Sequence, residues 1–197
     1  QTKMDSLLSI YEQKNKLIAT VAISKNGSSI YKRAIGYSWV NGDEKIPSNP
    51  ETKYRIGSIT KTFTAVMILQ LVEEGKLKLS TPLSKFYPKF LNAKKITIEH
   101  LLMHRSGIHN FTDDELYVTY MTKPKTQSEM MEIFMNLPSD FVPGTKHIYS
   151  NTNYSLLGYI IEKLTKMSYA DALKSRIIQK TLMGNTYVGV SARKDMN

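Results

Sequence analysis

The sequence predicts an α+β fold in which a helix and an antiparallel hairpin precede a mostly helical remainder. Three observations carry that expectation. An Asn26-Gly27 pair separates two β-rich runs, a long apolar stretch with helical spacing follows Ser58, and two Ser/Thr-x-x-acid sequences open helices further on. With 41% hydrophobic and 22% charged residues over 197 positions, the composition suits a packed domain rather than a disordered chain.

Taken in order, residues 4–13 carry Met4, Leu7, Leu8, Ile10 and Tyr11 at amphipathic spacing and predict a short helix. Leu17 to Ser24 and Ser29 to Tyr37 read as two strands, joined by Asn26-Gly27, residues able to take the positive φ of a tight hairpin turn. Asn41 to Thr52, with Gly42, Pro47 and Pro50, reads as a polar loop. From Ser58 to Glu74, Phe63, Val66, Met67, Ile68, Leu69, Leu71 and Val72 leave little polar circumference. That helix is expected to be buried nearly all round and to end at Gly75. Thr97 to His104 is a shorter helix closed by Ser106-Gly107, with His104 expected to stabilise its C-terminus. Thr126 with Glu129, and Ser168 with Asp171, have capping-box spacing. Between these lies a turn-rich stretch, Leu137 to Asn151, and then a helical run from about Tyr154 to Leu164. A two-stranded hairpin is marginal alone, so further strands are expected to complete the sheet, and this chain offers no obvious ones.

Composition also excludes classes. The chain has no Cys, which removes disulfides, Cys-based zinc sites and thiol nucleophiles together. No apolar stretch approaches the roughly 18 residues of a membrane span. The net charge of +10 comes from scattered cations, with neither a basic block nor a basic–aromatic recognition motif, so no nucleic-acid partner is expected. The chain opens on Gln1 instead of Met, and any signal peptide is expected to be absent from it.

A catalytic Ser needs a base within hydrogen-bond reach and donors aimed at the developing oxyanion. Ser-x-x-Lys on a helix supplies the base, because positions three apart share a face. The pattern occurs at Ser29/Lys32, Ser58/Lys61 and Ser191/Lys194. Ser29 and Lys32 lie in a predicted strand, where such residues face opposite ways, and Ser191 sits in an unpatterned tail. Only Ser58 opens a long apolar helix. A plain N-cap beside a solvated Lys is the alternative, although Lys is a poor first-turn residue where the helix dipole favours anions.

Tyr149-Ser150-Asn151 forms a second group. Tyr149 as a core-edge aromatic and Asn151 as a helix cap would account for it structurally; a functional reading makes Tyr149 a proton shuttle and Asn151 an amide donor to substrate and to Lys61. An isolated phenol or alkylammonium titrates near pH 10, about 3 units from a neutral-pH base. A cation beside the phenol lowers its value, and the two groups then titrate as a pair in which neither alone is the base. His100 and His104, four apart, have zinc-compatible spacing, but no H-E-x-x-H and no clear third ligand accompany them, so no metal and no cofactor are expected.

Several segments together carry a family resemblance. Tyr54-Arg55-Ile56-Gly57-Ser58-Ile59-Thr60-Lys61-Thr62-Phe63 resembles the first motif of the class C β-lactamase group, which includes related D-Ala-D-Ala carboxypeptidases and esterases and is akin to penicillin-binding proteins. Leu101-Leu102-Met103-His104-Arg105-Ser106-Gly107-Ile108 is similar to a further segment of that group, and Phe141-Val142-Pro143-Gly144 with Tyr149-Ser150-Asn151 resembles its second motif. Ala34 to Tyr37 and Leu182 to Thr186 follow in the expected order. The resemblance implies a β-lactamase/transpeptidase-like fold and an extracytoplasmic serine hydrolase. In it Ser58 attacks an amide or ester (a peptidoglycan D-Ala-D-Ala peptide, a β-lactam or a small ester) through the Lys61/Tyr149 pair, while Asn151 binds substrate. The alternative is a non-catalytic module that binds or senses cell-wall peptides or β-lactams.

The family's third motif, a Lys or His two residues before Gly on a later strand, does not follow Asn151: Lys180-Thr181 is followed by Leu182. Residues 1–197 are therefore expected to be the N-terminal portion of one such domain, with 1–57 belonging to the sheet region and 58–197 to the helical region. The C-terminal strands would come from a missing segment or a second chain, and the isolated chain would be nearly inactive.

Overall fold

The computed structural model describes residues 2–189. The chain divides into two compact units, one up to Arg55 and the other from Ile56 onward.

In the first unit, α1 (Thr2–Gln13) precedes β1 (Ala19–Lys25) and β2 (Ser28–Ile35), which pair antiparallel with Ala19 opposite Ile35. Asn26 and Gly27 take φ of 51° and 78°, the double left-handed geometry of a two-residue hairpin turn. Arg33 on β2 fastens α1: its guanidinium donates to the Asp5 carbonyl at 2.8 Å and to Ser9 Oγ at 3.0 Å. The expected polar loop after Asn41 is instead half of a second hairpin, because β3 (Tyr37–Asn41) pairs with β4 (Glu44–Pro47) and Trp39 lies opposite Ile46. Gly42, at φ 59°, and Asp43 make its two-residue turn. The polar residues of β4 mark a strand exposed to solvent along its whole length, not a lack of strand structure. The two hairpins form separate two-stranded sheets.

The second unit is helical: α2 (Thr60–Glu73), α3 (Ile98–Leu102), α4 (Tyr117–Tyr120), α5 (Gln127–Asn136), α6 (Asn151–Thr165) and α7 (Tyr169–Leu173), the last running into a π-helical turn at Lys174–Ile178. On α2 the buried positions are Thr64, Met67, Ile68 and Leu71, a spacing of three, four and seven, while Val66 and Leu69 are 40% and 47% exposed. The helix thus buries one stripe and not its full circumference, since its facing neighbours α6 and the π-helical turn cover one side only. Gly75, at φ 69°, ends it. Leu156, Leu157, Ile160 and Ile161 of α6 are fully buried against this stripe together with Leu101 and Phe134, each contributing roughly 1.5–3 kcal/mol of burial before entropy is counted.

Of the two expected capping boxes one closes: at α5, Thr126 and Glu129 exchange backbone and side-chain bonds. At α7, Ser168 caps by accepting from the Asp171 amide, and the Asp171 carboxylate turns to the Ser168 hydroxyl at 2.6 Å instead of the backbone amide. At α3 the box uses a histidine. Thr97 accepts from the His100 amide while His100 Nδ1 accepts from the Thr97 amide. Beyond β4, the described residues hold only isolated bridges, Pro82 with Thr97 and Ile108 with Ser139.

Candidate active site

The α2 helix is preceded by a 3₁₀ turn, Gly57–Ile59, which contains Ser58. The N-cap positions of the turn and the helix are Ile56 and Ile59, and neither helix end receives a side-chain cap. Ser58 is therefore not an N-cap, and its hydroxyl is available for other partners. Its Oγ lies 2.8 Å from Tyr149 Oη and accepts from Lys61 Nζ at 3.1 Å. Lys61, in the first turn of α2, also donates to Asn151 Oδ1 at 2.8 Å. Asn151 thus accepts from Lys61 rather than donating to it as expected, an ammonium having no lone pair to offer. Its ammonium stands over the rings of Tyr149 and Tyr154, 4.7 Å and 5.6 Å from their centroids. The four residues singled out in the sequence thus converge in one hydrogen-bonded cluster, across more than eighty positions of chain.

Tyr149, Ser150 and Asn151 enter α6 through a loop tied at several points to residues 104–107. Gly144 N donates to the Arg105 carbonyl at 2.8 Å, Ile148 N to the His104 carbonyl at 3.0 Å, and Asp140 N to the Gly107 carbonyl at 2.9 Å. The Arg105 guanidinium donates in turn to the Gly144 carbonyl. Gly107 sits at φ 75°, where a Cβ would run into the Phe141 carbonyl, so close approach of the two loops demands glycine there. Below the loop, Ser106 Oγ donates to Asn153 Oδ1 at 2.6 Å inside the core.

Asn151 is held from three sides. Buried Asn110 accepts from its backbone amide at 2.9 Å, Thr112 Oγ1 accepts from its Nδ2 at 3.0 Å, and its Oδ1 is left to Lys61. Asn110 and Thr112 were not evident as site residues in the sequence. The only local signal was their position just after the Leu101-to-Ile108 segment.

The electrostatics follow from this packing. Burial pushes the Tyr149 phenol upward, but the Lys61 ammonium and the Ser58 hydroxyl outweigh it and hold the phenol below its ordinary value. His104 is also displaced: burial, the Lys61 charge and neighbouring His147 together push its imidazole below the usual histidine value. His104 does not act as a cation at the end of α3. Its backbone is left-handed at φ 55°, and its Nδ1 accepts from the Ser150 amide at 3.1 Å, a bond that needs the neutral ring.

The other candidates go elsewhere. Lys32 pairs with Glu51 at 2.7 Å, remote in role from Ser29, and Ser191 with Lys194 lies outside the described residues. His100 and His104 each commit Nδ1 to a backbone amide. No cluster of three or more His, Asp or Glu fit to hold a metal occurs among the described residues.

A cleft of about 510 Å³ opens beside Lys61 and Asn151. Asn151, Ser155, Gly158 and Glu162 form its α6 wall, at spacings of four, seven and eleven that place them on one helix face, and Tyr117 and Tyr169 add aromatic surface. Among the described residues no helix is long and apolar enough to cross a membrane.

Comparison with known proteins identifies relatives of the chain and of its fold. The chain is 34% identical over 192 residues to the protein Flp of Staphylococcus aureus, covering 94% of this chain and 38% of that protein. It is 30% identical over 167 residues to a teichoic acid D-alanine hydrolase of the same organism, covering 85% of this chain and 40% of the relative. The chain therefore spans about two-fifths of these curated relatives' length. Among solved structures, a penicillin-binding protein from Bacillus halodurans superposes with a TM-score of 0.79 at 30% identity, over 90% of this chain and 54% of that one. The D-amino acid amidase of Ochrobactrum anthropi SV3, bound to D-phenylalanine, superposes with the same TM-score at 28% identity, over 96% and 53%. The mixed helices and small antiparallel sheets are thus those of a β-lactamase/transpeptidase-like fold. The profile of the Beta-lactamase family matches residues 9–197, and the chain belongs to that family of serine hydrolases.

Proposed function

We propose that Ser58 is the nucleophile of an acyl-transfer hydrolase acting on amides or esters. The single observation that carries this reading is the shared contact of Ser58 Oγ with Tyr149 Oη at 2.8 Å and Lys61 Nζ at 3.1 Å. In the proposed reaction the Oγ proton passes to the Lys61/Tyr149 pair as Oγ bonds to the substrate carbonyl carbon. Tyr149 then returns a proton to the departing amine or alcohol, and water cleaves the resulting ester to free Ser58. The proton belongs to the coupled pair, so neither residue alone is the base. Asn151 orients Lys61 and offers its amide to the substrate. No cofactor enters these steps.

The proposed substrates are peptidoglycan D-Ala-D-Ala peptides, β-lactams or small esters, with the acyl part lying in the cleft beside Asn151. The names of two relatives, a teichoic acid D-alanine hydrolase and a D-amino acid amidase, support a D-configured acyl group and an extracytoplasmic setting. Residues 1–197 are proposed to be the N-terminal portion of one such domain, whose sheet a further segment or second chain completes. On its own the chain is proposed to be nearly inactive, because removing one oxyanion donor from such centres costs about 3–4 kcal/mol.

The test is labelling of purified 1–197, and of a version extended through the family's third motif, with a fluorophosphonate and with benzylpenicillin. A mass adduct on Ser58 in the extended protein, absent after Ser58→Ala, is expected. Ligand retention without any adduct would instead identify a binding or sensing module and overturn the hydrolase reading.

A further inference from the structure

Outside the proton-carrying cluster, one side chain touches almost everything that places Tyr149. His104 lies on the loop after α3, its ring tilted 34° against Tyr149 with centroids 4.5 Å apart and against Tyr154 at 5.1 Å. Its Nδ1 faces two donors, the Ser150 amide at 3.1 Å and Asn153 Nδ2 at 3.5 Å. Its carbonyl accepts from Ile148 N at 3.0 Å. Ile148, Tyr149 and Ser150 are thus each fixed by one residue, through its backbone, its ring face and its ring nitrogen in turn.

We infer that His104 is a positioning residue for Tyr149, and that it works only as a neutral hydrogen-bond acceptor. An imidazolium carries N–H at both ring nitrogens, so protonation would set a donor at Nδ1 against the Ser150 amide. It would also place a cation beside the Lys61 ammonium, the charge that faces the ring across Tyr149 and Tyr154. The titratable groups around the ring are Lys61 from α2, His147 and Tyr149 from the loop, and Tyr154 from α6. Adjacent Arg105 turns its guanidinium to the Gly144 carbonyl. None is a carboxylate able to stabilise an imidazolium. The lowering of the imidazole by burial, Lys61 and His147 agrees with that arrangement.

His104 is one of the non-glycine residues at positive φ, at 55°, a region that His and Asn adopt more readily than most side chains. The site therefore carries a built-in acid sensitivity: below the imidazole's lowered value the Tyr149-Ser150-Asn151 segment loses its anchor.

The effect on acylation rests on the Ser58 reading; the anchoring does not. In ¹H–¹⁵N NMR of the whole chain, the Ser150 amide is expected to shift over the range in which the His104 imidazole titrates, with the same midpoint, below the ordinary 6.5. His104→Asn, which retains an acceptor that cannot protonate, is expected to leave Ser150 unmoved over that range. A Ser150 amide that ignores the His104 titration in the wild-type chain overturns the inference. In an acylation-competent extended protein, His104→Asn should remove one acid step of about three- to tenfold from the labelling rate. Absence of any labelling would sink the hydrolase reading while the NMR titration still decides this one. An acid step unchanged in His104→Asn counts against the inference.

Discussion

Thr112 Oγ1 accepts a hydrogen bond from Asn151 Nδ2 at 3.0 Å while the oxygen of the same carboxamide accepts from Lys61 at 2.8 Å. A carboxamide can flip to present either end, and an NH₂ facing an ammonium would be repulsive. The donor-only ammonium therefore selects the orientation, and Thr112, by accepting from the other end, holds Asn151 in it. Thr112→Val keeps the shape and removes the acceptor. In the extended protein it is expected to slow acylation of Ser58 about fivefold, the cost of roughly 1 kcal/mol of lost orientation, while Thr112→Ser retains the rate. Probe-labelling kinetics check both.

Lys61 has a second measurable effect. Burial alone pushes the Tyr149 phenol up, and it is the Lys61 charge together with Ser58 that brings it down. Lys61→Met removes the cation and leaves burial, so the Tyr149 phenol is expected to move above its ordinary value of about 10. Titration of the ¹³Cζ resonance of Tyr149 reads this directly. A phenol that stays low in Lys61→Met would mean that Lys61 is not the cause.

Acid stability should depend on Glu74. The Arg176 guanidinium grips both its oxygens, at 2.7 and 3.2 Å, and with Lys76 brings its carboxyl down to about 2 from an ordinary 4.5. A carboxyl lowered on folding contributes stability above its unfolded value and loses it as pH falls from about 4.5 through 2. Glu74 is 38% exposed, so solvent screening limits the contribution to about 1 kcal/mol. Glu74→Gln is expected to cost that much at pH 7 in urea unfolding, with the difference from wild type shrinking towards zero at pH 2.

How much of this was legible in the sequence depended on how local the cause was. Asn26-Gly27 and Thr126 with Glu129 act over two or three residues, and their turn and cap form where the sequence places them. Ser58, Lys61, Tyr149 and Asn151 were found as two short motifs, although what joins them is tertiary. The second hairpin escaped notice because Glu44 to Pro47 lies wholly in solvent, and an exposed strand need not alternate apolar and polar residues. The full burial expected of α2 failed at Val66 and Leu69, since apolar content counts side chains and not the neighbours present to cover them. Asn110, Thr112 and His104 could not be assigned from the chain alone. Each acts on residues 39 to 46 positions away, and no spacing rule reaches that far.

The ties between residues 104–107 and 140–150 have a consequence for how the molecule can vary. The chain departs from the site after Thr112 and is clamped again at Ser139 and Asp140, by the Ile108 bridge and the Gly107 carbonyl. Everything between is a closed excursion, rooted in the core by Phe134 yet free of the atoms that move the proton. Residues 113–125, which include Tyr117 at the cleft wall, can therefore be lengthened, shortened or exchanged like an interchangeable jaw, changing what the cleft admits while Ser58 and Tyr149 stay in register.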